Sequence, residues 1–386
     1  MSSSRLLSSL KQASASFGLS SKQPKEATVP HAQPYLTGLR GVLVIQSLLW
    51  VFLQTFAPAT ASQTPGPTWQ YVLRDIFCVP FWNQSLIYSF FIILSARTVC
   101  VPFLSNPTAV TFAGSLIGRP IRVGLSISVA TAIAIVIYSQ IGTEYFVAFF
   151  QLQPNAVLEA PQQAPNGLAA FLSIYDLLWI SRNWVQQAAN QFWPTATMWS
   201  PSLIYYQSYT VYNLMVILPF TRPKWHAQGL IIFGLGSYWM ESWGWYSATG
   251  LLLADLSVNP TLRTMLEDGI KFTDSITIPS FIPAVALTIL GLVQKYLWVA
   301  AFPRHINDEL TLHPTLHTSD SDTTTSFDKS QPYARLDDWL VVVGVLLLIE
   351  LFQPLQKALS TRALTYLGDR SLSKSFMLKT PVERNG

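Results

Sequence analysis

Residues 123–142 run for twenty positions without one charged side chain. A helix rises about 1.5 Å per residue, so such a run spans the roughly 30 Å hydrocarbon layer of a bilayer. The pattern recurs at residues 41–61, 85–104, 197–220, 276–293 and 339–355, with two shorter apolar runs at 229–240 and 246–256. Half of the 386 residues are hydrophobic and only 11% are charged, against about a quarter in soluble domains. This balance excludes a soluble, disordered, collagen-like or disulfide-scaffold class. Cys78 and Cys100 are too few for a disulfide framework.

The placement of charge sets an orientation. Residues 1–35 carry Arg5, Lys11, Lys22 and Lys25 against one acid, Glu26. They contain no apolar core of a signal peptide, so they read as a disordered cytoplasmic tail, with a membrane-surface segment around residues 6–17 as the alternative. Arg97, Arg119 and Arg122 follow without an intervening acid, and Lys357, Arg362, Arg370, Lys374, Lys379 and Arg384 lie towards the end. A cytoplasmic N-terminus puts nearly every basic cluster on the cytoplasmic side, provided that 229–256 crosses twice. The expected fold is therefore an all-α polytopic transmembrane helix bundle of about eight spans, with both termini cytoplasmic. Residues 36–300 form its main part, 301–338 a polar loop, and 339–386 the last span with a basic tail. Residues 167–180, too short to cross and containing Asp176, read as interfacial. The formal charge of +4 follows membrane topology and forms no single patch, so nucleic acid is not an expected partner.

Polar side chains within these runs are the candidates for chemistry. Arg40, at the start of the first span, either snorkels to the interface as an anchor or holds a phosphate or carboxylate. Arg119 and Arg122 invite the same two readings. Tyr205, Tyr209 and Tyr212 share one helix face and either line a substrate cavity or pack against a neighbour. Glu241, among Trp239, Trp243 and Trp245, is a candidate acid or base, or else a solvated acid in an aromatic belt. His305, His313 and His317 lack a spacing that converges, because Pro314 breaks a helical pair, and no metal is expected. Asn83-Gln84-Ser85 is a glycosylation sequon close to the membrane surface.

Leu36-Thr37-Gly38-Leu39-Arg40-Gly41, running straight into a span, resembles the opening L-D-G-L-R-G of the acyltransferase 3 family of membrane O-acyltransferases. Later landmarks follow in the family's order. Phe90-Phe91-Ile92-Ile93-Leu94-Ser95 resembles its F-F-x-x-S-G span, and Arg119-Pro120-Ile121-Arg122 its arginine-rich approach to the third span. Trp199-Ser200 resembles the start of its W-S-x-x-x-E helix. Leu364-Thr365-Tyr366-Leu367-Gly368-Asp369-Arg370-Ser371-Leu372-Ser373 resembles its L-x-F-L-G-x-I-S-Y-S segment. The texture is closest to the fungal branch. The resemblance implies acyl-CoA as donor, a hydroxyl of a small lipophilic acceptor as recipient, a place in secondary-metabolite biosynthesis, and Arg40, Arg119 and Arg122 on the donor side. It also implies a multi-pass protein of an internal membrane, the endoplasmic reticulum being favoured.

The family's histidine, ten residues beyond Gly41, is Val51 here; its glutamate after Trp199 is Ile204, and its opening aspartate is Thr37. None of the three can exchange a proton near neutral pH, so the family's base machinery is missing at these positions, and Glu241 is left as the candidate. The chain also stops at Gly386, before the family's last histidine and spans; the expectation is a short gene product or a member without those helices. Two rivals follow. One is a catalytically inactive membrane carrier or scaffold of the same fold, and the other a membrane isoprenoid cyclase using the Trp and Tyr content.

Overall fold

Pro34 begins the first helix, where a missing backbone N–H leaves no bond unmade. That helix, α1 (Pro34–Phe56), is followed by α2 (Thr68–Trp82), α3 (Gln84–Ser105), α4 (Ala109–Ile141), α5 (Gly167–Trp179) and α6 (Trp199–Ile217). Then come α7 (Pro223–Trp239), α8 (Gly244–Val258), α9 (Phe281–Tyr296), α10 (Leu336–Leu351), α11 (Gln353–Leu359) and α12 (Arg362–Arg370). This computed structural model describes residues 33–142, 144, 145, 147, 148, 166–179, 199–240, 242–259, 263, 266, 269–273, 276–306, 309 and 332–370. The described fold is helical except for one antiparallel hairpin, β1 (Ile270–Thr273) and β2 (Ile276–Ile278), which pairs Ile270 with Ile278. Residues 276–278, expected to open a span, belong to that hairpin instead.

The central element is α3. It has no polar stripe, and Leu86, Ile87, Tyr88, Ile92, Leu94 and Cys100 are buried around its circumference. Asn83 starts it: the side-chain oxygen accepts from the Leu86 amide at 3.1 Å and from the Ser85 hydroxyl at 2.9 Å. The sequon asparagine is thus a helix cap.

Neighbouring helices fix their directions through paired contacts. Trp50 meets Tyr88 edge-on at 5.9 Å while Arg40 bonds Thr98, so α1 and α3 are antiparallel. Arg119 bonds Ser95 while Phe112 meets Phe103, which makes α4 antiparallel to α3. Tyr246 meets Ser89, and Gly250 lies against Ile93 and Arg97, so α8 runs parallel to α3.

Small residues bring the backbones together, as helices in lipid require when apolar burial alone offers no driving force between them. A Cβ at Gly291 of α9 would come within 2.7 Å of the Val341 amide, and one at Gly344 of α10 within 2.7 Å of the Thr288 amide. Gly38 and Gly41 of α1 sit directly on the Leu359 and Leu364 carbonyls, and Gly368 of α12 on the Thr37 carbonyl. The first and last motifs of the family resemblance are therefore one packing unit. The outer surface carries exposed apolar side chains, among them Leu48, Phe52, Ile232, Leu235 and Trp239, suited to lipid.

Among the described residues, four helical stretches are long and apolar enough to cross a bilayer: Pro34–Phe56, Thr68–Ser105, Ala109–Ile137 and Phe281–Ala301. A fifth is obtained if Leu336–Leu351 and Gln353–Leu359, bent by 101°, form one span. The expectation of about eight is thus met only as to class, a helical protein with several helices apolar enough to cross a membrane. The shortfall has a physical origin. α7 and α8 have 17 and 15 residues, shorter than the roughly 20 a straight crossing takes, and α6 is interrupted by Ser, Gln and Tyr side chains.

Candidate functional site

Two polar centres lie at opposite ends of α3. Arg97 follows Ser85 by twelve residues, and Glu350 follows Asp338 by twelve on α10, about 18 Å of helix in each case. α3 and α10 run parallel, tied at one end through Arg97 and Glu350 and at the other through Ser85, Lys295 and Asp338.

The arginine end collects three guanidinium groups on one turn of α3. Arg40 of α1 donates to the Thr98 hydroxyl at 2.7 Å. Arg119 of α4 donates to the Ser95 hydroxyl at 2.7 Å and to the Ile204 carbonyl at 3.2 Å. Arg97, on α3 itself, is fully buried and binds Glu350, with Gln33 as a further acceptor at 3.3 Å; Tyr35 donates to the same Glu350 oxygen at 2.9 Å. Among the described residues neither Arg40 nor Arg119 has a carboxylate within 4 Å; the charges acting on Arg40 are Arg119, a like charge, and Asp369. Arg119 keeps a buried Nε with no hydrogen-bond partner. Two adjacent cations without a bound anion are unfavourable in a low-dielectric setting, and a phosphate or carboxylate satisfies both.

The structure thus brings together Arg40 and Arg119, while Arg122, one turn further along α4, is exposed. All three lie inside or beside the bundle on helices; Arg119 and Arg122 are interior to α4, not on a loop leading to it. A small cavity between α3, α4, α6 and α8 is lined by Ser95, Val99, Arg119, Gln207, Ser208 and Ser247. It has room for about one water, too little for a phosphate or carboxylate group.

The tyrosine face packs against helices. Tyr205 and Tyr212 are buried, Tyr209 is half-exposed, and the Tyr205 and Tyr209 hydroxyls are 2.7 Å apart. Tyr212 donates to the Ser115 carbonyl at 2.8 Å and meets Phe112 edge-on at 5.8 Å, which ties α6 to α4. Of the two expectations for this face, packing accounts for the contacts of Tyr205 and Tyr212. Glu241 lies outside the described residues, as do His313 and His317. No group of three or more His, Cys, Asp or Glu among the described residues is arranged to hold a metal ion.

Two departures from the family pattern acquire a structural meaning. Val51 is 42% exposed, while its neighbour Trp50 is buried against Tyr88. Ile204 contributes its backbone carbonyl to Arg119, where a glutamate would offer a carboxylate.

The opposite end of α3 holds a charge network that sequence reasoning missed. Lys295, near the end of α9, binds Asp338 at 2.7 Å, Asp337 at 3.3 Å and the Ser85 hydroxyl at 2.7 Å. Arg335 grips Asp337 through two nitrogens at 3.0 and 3.1 Å. Lys295, Asp337 and Asp338 are each at most 1% exposed. Both aspartates sit in the first turn of α10, where the helix dipole favours negative charge. Tyr246 donates to the Arg335 carbonyl at 2.7 Å, and Glu309 accepts from the Leu336 amide at 2.9 Å, capping α10. Burial, reinforced by Asp337, pushes the Glu309 carboxyl up to about 7. The signal in the sequence was there: Lys295 and the Asp337-Asp338 pair are charges set against apolar runs, and such charges pair when buried.

Against this geometry, no protein-family profile, no curated protein and no solved structure matches the chain.

Proposed function

We propose that this chain is a multi-pass membrane protein that binds a phosphate-bearing acyl donor of the coenzyme A type at its cytoplasmic face. It passes the acyl group to a hydroxyl of a small lipophilic acceptor. The observation that carries the reading is the convergence of Arg40 and Arg119, from two different helices, on one turn of α3, with no carboxylate ion pair among the described residues. Paired guanidinium groups suit phosphate oxygens, and Arg122 extends the same basic face outward. The transfer half rests on the motif resemblance, whose opening and closing segments pack together through Gly38, Gly41 and Gly368. An internal membrane such as the endoplasmic reticulum, and a place in secondary metabolism, belong to the same proposal.

About eight crossings are part of this reading. α8 follows α3 from Ser89 to Arg97, and α6 follows α4 from Arg119 to Ser115, which supports crossings by helices too short or too polar to be recognised from composition.

One observation favours a second reading, a carrier that binds the anion without transferring an acyl group. The position where the family has its base is Val51, whose side chain takes up no proton. The two are separated in two steps. Calorimetric titration of coenzyme A into the purified protein tests the site: Arg40→Ala should weaken binding by about tenfold or more, the worth of one charge-assisted hydrogen bond. Unchanged affinity, in a variant that melts like the wild type, removes the donor site. Mass spectrometry of metabolites from cells with and without the gene then tests the reaction. A lost compound replaced by one lighter by an acyl group supports transfer; a change of amount or location alone supports the carrier.

A further inference from the structure

The chain turns sharply at Phe352, and the two helices beyond it differ in kind from the helix before it. α10 and α11 meet at 101° across this single residue. α11 and α12 then continue beside the first two turns of α1, held by the Gly38, Gly41 and Gly368 contacts. α10 runs beside α3 and parallel to it, so a bend of 101° at its end turns α11 across the direction of α3, at the level where α1 begins.

Their side chains match that location. On α12, Leu364 and Gly368 face α1, and Leu367 and Tyr366 are exposed to the surroundings, as are Phe352 and Leu355 before them. Lys357 and Arg362 are exposed as well. An element that shows both apolar and cationic groups to its surroundings has the character of an interfacial helix. The charge count points the same way. From residue 351 to the end there are six basic and two acidic side chains, an excess equal to the net charge of the whole chain, +4. The chain's entire positive surplus is thus concentrated just beyond the last membrane helix.

We propose that α11 and α12 form an interfacial paddle that binds the anionic phospholipid headgroups of the cytoplasmic leaflet, with Lys357 and Arg362 as the headgroup contacts and Leu355 and Leu367 set into the acyl-chain boundary. Positive residues close to such a leaflet each contribute to binding, and the apolar pair fixes the depth at which they do so. Because the paddle is welded to α1 through glycine contacts one residue away from Arg40, a lipid held there braces the helix that carries the guanidinium group. The proposal does not depend on the identity of the ligand at Arg40 and Arg119.

The test uses the full-length protein in nanodiscs of phosphatidylcholine, with or without a fraction of phosphatidylserine. The expected result is a higher melting temperature with phosphatidylserine, abolished by high salt. Lys357→Gln with Arg362→Gln should lower the apparent affinity for phosphatidylserine by about 25-fold, roughly fivefold per charge. Arg304→Gln, an exposed arginine distant in sequence, should leave it unchanged. A depth measurement gives an independent reading, since both native cysteines are buried. A polarity-sensitive dye on Leu367→Cys should report an interfacial environment in nanodiscs. Equal stability in the two lipid compositions, an unaltered double variant, or a dye in bulk water would each overturn the proposal. So would the same stabilisation by inorganic phosphate in detergent, which would make the site one for a free anion.

Discussion

Arg97 of α3 and Glu350 of α10 form a buried ion pair in the C-terminal halves of two parallel helices, and Tyr35 of α1 donates to the same carboxylate. Three helices are thereby fixed in register by one carboxyl group. Twelve residues back along α3 and α10, Ser85 and Asp338 are joined through Lys295 of α9. The bundle is pinned at both ends by charges that lipid cannot solvate.

Removing one partner of a buried pair strands the other charge. Arg97→Met is expected to destabilise the protein by about 3 kcal/mol, and Arg97→Met with Glu350→Leu to recover most of the loss. Thermal melts of the single and double variants in one detergent check this. Equal destabilisation by both would mean that the pair acts through shape and not charge.

At the opposite end the same logic applies to Lys295. Lys295→Met leaves Asp337 with Arg335 but Asp338 with no cation in contact. The expected outcome is a lower yield of folded protein than for any single change at Arg40, read by size-exclusion profile. Lys295→Met combined with Asp338→Leu should restore the profile.

Close packing at glycine predicts a sharp contrast. Gly41→Ala would drive a methyl group into the Leu364 carbonyl, whereas Gly234, on α7, has open space around it. Gly41→Ala is expected to lower the melting temperature by several degrees, an effect of about 2 kcal/mol for overpacking, and to loosen α12 towards protease. Gly234→Ala should be neutral or slightly stabilising, because alanine favours helix.

Glu309 should make stability depend on pH. Its carboxyl, among Asp337, Asp338, Arg335 and Tyr333, is raised from an ordinary 4.5 to about 7 in the folded state. The folded chain therefore binds a proton more tightly than the unfolded chain, and stability falls as pH rises from about 4.5 through 7. The loss is on the order of 3 kcal/mol at most. Glu309→Gln, which keeps an acceptor for the Leu336 amide, should flatten that part of the melting-temperature profile. A profile unchanged by the substitution would place the titration elsewhere.

Val51→His should fail to raise acyl transfer. Val51 stands eleven residues beyond Arg40, about 16 Å along α1, and a base acts only within hydrogen-bond reach of the proton it takes. A clear gain in acylated product by mass spectrometry would place the reacting hydroxyl beside residue 51 on α1.

That the chain is helical, with several helices apolar enough to cross a membrane, was legible in the sequence, because length and hydropathy are properties of the residues themselves. The tertiary structure decided the rest. α3 has no polar stripe, so nothing in its periodicity tells which neighbour Ser95, Arg97 or Thr98 will meet. Arg40 and Arg119 are 79 residues apart, and they meet because the backbones of α1, α3 and α4 approach at particular heights and directions. Likewise Trp50 and Val51 are both apolar in sequence, yet one is buried and the other exposed, since a single residue turns a helix by about 100°. Lys295 looks like the basic end of a span until α9 and α10, drawn together at Gly291 and Gly344, place Asp338 against it. Composition selects the solvent in which this chain folds, and close contacts between helices select which of its charges find one another.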